Sequence, residues 1–218
     1  SYYTPRFAGF QLGVSYVPSI TFNDPVGQNF PVEADTNSQY SNGISVGANY
    51  INDFNGIGVV ISGSYLFAQA PDDFGGFEYD DFQAARGGLQ VSYAGVTFGG
   101  SYGKVFEGMP NSYGDVGTTT EGQSWDVGAT YGMGPWTVGI TYFRGSMQGF
   151  VYSDDDQKTQ AIQGGVTYLL GPGITANAGV MWGKYEGNGD TFLGAGGAGA
   201  GFDDSQSGVV GAAGLTFD

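Results

Sequence analysis

Apolar and polar residues alternate strictly along most of this chain, most plainly over residues 161–183, AIQGGVTYLLGPGITANAGVMWG. One parity holds Ile162, Gly164, Val166, Tyr168 and Leu170, and beyond Leu170-Gly171-Pro172-Gly173 it continues through Ile174, Ala176, Ala178, Val180 and Trp182. Gln163, Gly165, Thr167, Thr175, Asn177 and Gly179 take the other parity. A period of two means β-strand, and equal parity on both arms makes a hairpin with one apolar and one polar face. Aromatics stand near both ends of the apolar face, with small aliphatics between them.

The same pattern recurs from end to end. Ser1-Tyr2-Tyr3 reads as the tail of a strand, TPRFAG as a tight turn, and Phe10, Leu12, Val14 and Tyr16 as one strand face that Pro18 ends. A long polar connection (19–39) leads to Tyr40, Ile44, Val46, Ala48 and Tyr50; the turn INDFNG (51–56) leads to Ile57, Val59, Ile61, Tyr65 and Phe67. After the acidic loop PDDFGGFEYDD come Leu89, Val91 and Tyr93, with Phe82 out of phase and calling for a bulge or an earlier strand start. Ala94-Gly95 turns the chain into Val96, Phe98, Gly100 and Tyr102. Trp125, Val127, Ala129 and Tyr131 follow, then a turn at 132–135, then Trp136, Val138, Ile140 and Tyr142. A loop over 144–157 precedes the 161–183 hairpin, and a loop over 186–205 precedes Val209, Gly211, Ala213, Leu215 and Phe217.

Ten strands result, with short turns and long loops in alternation, which predicts an all-β, antiparallel up-and-down sheet. Tyr50 is expected opposite Ile57, Tyr93 opposite Val96, and Tyr131 opposite Trp136, so that the apolar faces coincide. A β-propeller would need four short strands in each repeat of this length, whereas each repeat here holds two strands of about ten residues. Ten tilted residues also suffice to cross a bilayer.

Composition sharpens the choice of solvent for the apolar face. The 218 residues include 42 Gly, 16 Phe and 15 Tyr, with no Cys and no His. Glycine inside strands wastes packing in a two-layer core but suits the inner wall of a wide, water-filled barrel. No run approaches the roughly 18 apolar residues of a membrane helix, a test to which transmembrane barrels are invisible. No charge falls on the apolar face within the strand middles, where Arg or Lys would cost about 2–4 kcal/mol at the bilayer midplane. A secreted sandwich would need a partner layer over the same face.

Charge and chemistry narrow the function. A formal net charge of −15 disfavours nucleic-acid binding, which needs a basic stripe. Absence of His removes the usual general base and most zinc sites, and Asp72-Asp73 on a Gly-rich loop reads as a solvated rim, so no enzyme is expected. Arg86, Gln90, Ser92, Asp126, Gln163, Thr167, Thr175 and Asn177 form the expected pore lining. Lys104, Arg144 and Lys184 each follow an apolar-face aromatic (Tyr102, Tyr142, Trp182) by two residues, and Lys158 has the same parity, so these four are expected to meet head-group phosphates at one border of the wall, those of lipopolysaccharide if that border is the outer one. No cofactor is required; Asp154, Asp155 and Asp156, or Asp72, Asp73, Glu78, Asp80 and Asp81, offer hard oxygen ligands for calcium in the outer loops, without EF-hand spacing.

TPRFAGFQLGVSYVP, GGLQVSYAGVTFGGSYG and the closing alternation into LTF resemble the Gram-negative general diffusion porins, particularly the alphaproteobacterial kind. The resemblance implies a multi-pass outer-membrane protein, usually a homotrimer of sixteen-stranded barrels, passing small hydrophilic solutes and ions by passive diffusion. On that pattern the chain is a single barrel domain over 1–218, with its ten strands corresponding to the seventh through sixteenth. Its short turns are periplasmic and its long loops external, and the inward-folded constriction loop lies upstream of Ser1. The other reading is a non-conducting barrel or secreted β-protein with an adhesive or structural role.

Overall fold

The computed structural model describes residues 1–20, 40–70, 80–107, 121–147, 156–188 and 203–217. They form one antiparallel sheet of eleven strands, each bonded to its neighbours in sequence. The strands are β1 (Tyr2–Tyr3), β2 (Phe10–Ile20), β3 (Tyr40–Phe54), β4 (Ile57–Gln69), β5 (Phe82–Tyr93), β6 (Val96–Glu107), β7 (Gly122–Met133), β8 (Trp136–Met147), β9 (Gln157–Gly171), β10 (Ile174–Asn188) and β11 (Asp203–Phe217). The ten expected strands are all present, and the eleventh is the Tyr2–Tyr3 tail, paired with Val14 and Gly13 of β2. The sheet is up-and-down as expected, but among the described residues it is open, with β1 and β11 as its edges.

Register carries the alternation unbroken through ten strands. Phe10, Tyr50, Ile61, Leu89, Gly100, Val127, Tyr142, Ile162, Trp182 and Val209 are successive pairing partners and form one row on the apolar face. The adjacent row on the opposite face runs through Gln11, Asn49, Ser62, Gly88, Ser101, Asp126, Phe143, Ala161, Gly183 and Gly208. The apolar row starts one residue from Gly9 and reaches Trp182, nine residues beyond Gly173. Taking the short turns as one rim, that stagger leans the strands by about 35°, the tilt that a closed barrel needs.

The short turns explain why the register holds. Ala8-Gly9, Asn55-Gly56 and Ala94-Gly95 all have positive φ at both positions (48° and 86°, 56° and 86°, 49° and 83°), the type I′ geometry whose twist matches paired strands. Three of the short turns also add a rung to the next hairpin: the carbonyls of Gly9, Gly95 and Pro135 accept from the amides of Ile51, Gly132 and Leu169. A Cβ at position 95 would lie 2.8 Å from the Gly132 carbonyl, so glycine is required there by both φ and contact. Arg6 braces the first turn by donating to the Gly9 carbonyl at 2.7 Å.

Several local expectations are corrected. Pro18 does not end β2: it sits between the pairs Val17–Gly43 and Ser19–Ser41, facing Asn42, whose φ of 50° lies where β3 bulges against β4 between Ser41 and Ile44. Proline needs no ladder donor at such a site. Tyr50 pairs with Ile61 and Tyr131 with Val138, because β3 runs on to Phe54 and β7 to Met133 before turning. Leu170 is the extra residue of a bulge that follows the Pro172-Gly173 turn, where Ile174 pairs with Gly171 and Thr175 with Leu169. Phe82 opens β5 opposite Ala68, and the irregularity is on the β6 side, between Gln83 and Ala84.

Among the described residues no protein layer covers the apolar face. Among the described residues Ala68 is the only buried apolar side chain, while Ile140 is 58% exposed and Phe98 62%. Aromatic pairs mark both borders of this face: Phe10–Tyr50 (4.5 Å between centroids) and Trp136–Tyr168 (4.4 Å) near the short turns, Trp125–Tyr142 (5.2 Å) toward the long loops. On the loop side Tyr16, Tyr65 and Tyr102 each donate from the phenol to an amide oxygen on the next strand, Asn42, Gln83 and Gln123, at 2.7, 2.7 and 2.9 Å. Tyrosine with an apolar body and a bonded polar tip fits a lipid–water border.

Ile140→Arg is therefore expected to cost about 2–4 kcal/mol in a bilayer, and Thr141→Arg on the other face far less. Reversible unfolding of both variants in lipid vesicles tests this; equal losses would contradict the face assignment.

Candidate functional site

The polar face is built by the second parity of every strand, and two side-chain chains cross it. The first joins β5, β6 and β7. Arg86 lies in register with Gly103, which presents no side chain, so its guanidinium extends over β6. Arg86 Nη2 donates to Ser101 Oγ at 2.9 Å and lies 3.4 Å from Asp126 Oδ1, and the Ser101 hydroxyl donates to the same carboxylate oxygen. The second joins β9, β10 and β11: Thr167 Oγ1 donates to Asn177 Oδ1 at 3.1 Å, and Asn177 Nδ2 donates to Thr216 Oγ1 at 2.9 Å.

All eight expected wall residues share this face, but they do not form one cluster. Arg86 meets Asp126, and Thr167 meets Asn177. Gln90 is in register with Gly99 and Val60, Gln163 with Thr141 and Met181, and Thr175 with Thr216. Ser92 lies 3.5 Å from the Gly58 carbonyl. Sequence reasoning missed Ser101 and Thr216, which share the parity of the wall and become partners only once the register is known. It also missed Gln11, whose amide donates to the Thr4 carbonyl at 3.1 Å and accepts from Arg6 at 3.0 Å, closing the polar face at the short-turn rim.

The other four cations lie on the apolar face beyond its aromatic border, and they lie on strands, because β8, β9 and β10 run further out than the alternation alone indicates. Lys104, Gln123, Ser146, Lys158 and Glu186 are successive pairing partners in one row. Arg144, Gln160 and Lys184 form the next row inward. Two acids neutralise part of this cluster: Glu121 is 3.6 Å from Lys104, and Glu186 is ion-paired to Lys184. Lys104 also stands 5.3 Å above the Phe106 ring. Glu186, four residues outside Trp182, has its carboxyl held below the usual range by the Lys184 hydrogen bond and charge, with Lys158 and Arg144 adding to the effect. Arg144 and Lys158 make no ion pair among the described residues. Glu186 was detectable in the sequence, since it follows Lys184 by two and so shares its face.

Asp154 and Asp155 of the expected calcium site, with Asp72, Asp73 and Glu78 of the second, lie outside the described residues. Asp156 is exposed and lines a cleft of about 410 Å³ with Lys104, Glu121, Gln123 and Ser146. Among the described residues no three acids gather into a metal-ligand group.

A family model described as Gram-negative porin matches residues 1–188. Among solved structures, Salmonella typhi OmpF in complex with daunomycin superposes with a TM-score of 0.58 at 18% identity, over 95% of this chain and 57% of that one. The chain thus spans a little over half the length of that structure, and at this identity the likeness concerns the fold. No curated protein matches.

Asn177→Ala removes both bonds that tie β9 to β11 and is expected to lower stability by about 1–2 kcal/mol. Denaturant unfolding of the lipid-embedded protein measures it; a loss below a few tenths would show that water replaces the pair.

Proposed function

The chain belongs to the Gram-negative porin family, and from that premise we propose that its sheet is wall of a water-filled outer-membrane channel for passive diffusion of small hydrophilic solutes and ions. The observation that carries this reading is the pair of adjacent rows that cross ten strands without exchanging sides, one apolar but for Gly100 and the other polar or small but for Phe143. A face rich in Tyr, Trp, Val and Ile with no protein against it requires lipid, and the opposite face, with Gln, Ser, Thr and Asn, supports water. On this reading the protein carries no catalysis, and its barrels associate as a homotrimer. A secreted sandwich would need a second layer over the apolar row, and none exists among the described residues.

With 21 acids against 6 basic residues, the channel prefers cations, since fixed negative charge raises the local cation concentration. Planar-bilayer recordings are expected to give stepwise conductance and, in a KCl gradient, a reversal potential on the cation side. Silence in repeated insertions would favour the non-conducting scaffold, and a clear anion preference would overturn the selectivity.

Arg144 and Lys158, which make no ion pair among the described residues, are proposed to pair with lipopolysaccharide phosphates at the outer border, with Lys104 and Lys184 as weaker contributors. Arg144→Gln with Lys158→Gln is expected to reduce co-purifying lipopolysaccharide severalfold; unchanged retention removes this contact.

A further inference from the structure

Six basic residues exist in the whole chain. Arg6 braces a turn, and Lys104, Arg144, Lys158 and Lys184 stand on the apolar face. Arg86 is therefore the one strand cation on the polar face. Its side chain is 67% exposed, yet the guanidinium does not stand alone: it lies 3.4 Å from Asp126, whose side chain is 31% exposed. The two residues belong to strands that do not touch, and Ser101 on the strand between them bonds to both. Gly103, the register partner of Arg86, presents no side chain on the path across β6.

We infer that Asp126 is an ion-selectivity determinant: held by Ser101, it masks the one basic group on this chain's polar face, so that the acidic residues elsewhere set the preference for cations. A bare guanidinium on the wall would attract anions and repel cations at once, and its reach in dilute salt, about 30 Å at 0.01 M, spans a pore. A pair of opposite charges at 3.4 Å presents only a dipole, whose field dies away within a few ångströms of the wall. Ser101 is a positioning residue in this arrangement, and Arg86 and Asp126 carry the charge.

This rests on the channel reading, and reversal potentials in dilute KCl gradients separate the two. Asp126→Asn unmasks Arg86 and is expected to lower the cation-to-anion permeability ratio by about threefold, with a smaller shift at 1 M salt. Arg86→Gln leaves an unopposed carboxylate and raises the ratio. The double variant returns close to the unaltered protein, an outcome that a merely structural role for the pair would not produce. Asp126→Ser removes the same charge and serves where Asn fails to insert. If either Asp126 variant conducts with an unchanged ratio, the inference is overturned and the channel stands. If the unaltered protein itself never conducts, both fall together.

Discussion

The structure depends on one constraint: a sheet whose apolar face has no protein partner must keep that face unmixed across every turn. A soluble core tolerates a misplaced side chain by closing over it, but a wall between lipid and water cannot. A slip of one residue in any strand would put a polar row into lipid and an apolar row into water. The turns are accordingly short, three of them type I′, and the carbonyls of Gly9, Gly95 and Pro135, which leave three of the turns toward the next hairpin, are taken up by amides of that hairpin. Backbone satisfaction and face separation are thus secured by the same atoms, as a bilayer requires.

What the sequence revealed follows from that arithmetic. Face identity depends on parity alone, so Tyr131 was placed on the correct face although its partner is Val138 and not Trp136, two residues away. Parity says nothing about register, and for that reason Ser101 could not be joined to Arg86 and Asp126 before the pairing of β5, β6 and β7 was known. Pro18 and Leu170 depart from the alternation at bulges, one in β3 opposite Pro18 and one in β9 at Leu170 itself, where the ladder accommodates a residue that parity alone excludes. Strand ends were drawn too short at Arg144 and Glu186 because apolar alternation stops at the membrane border while backbone pairing does not. The acidic loops lie outside the described residues, so the calcium expectation gains nothing from the fold.

Charge is distributed by the same logic. Four of the six cations collect where β6, β8, β9 and β10 emerge from the apolar band, and two of them are met by acids that share their parity or end the adjacent loop. The polar wall, by contrast, is nearly neutral in its strand middles, with small residues such as Gly139, Gly165 and Gly179 in one row. A smooth, weakly charged wall with a charged outer border separates the two tasks of admitting ions and of meeting the surrounding lipid.

The stagger of the strands gives the wall a handed texture. Pairing partners climb away from the short-turn rim as the sheet is followed around, from Gln11, two residues past Gly9, through Ser101, six past Gly95, to Gly183, ten past Gly173. A polar row is therefore a ramp and not a ring. On the channel reading proposed above, ions moving straight through cross successive ramps one group at a time and do not face one equivalent side chain from every strand at a single depth.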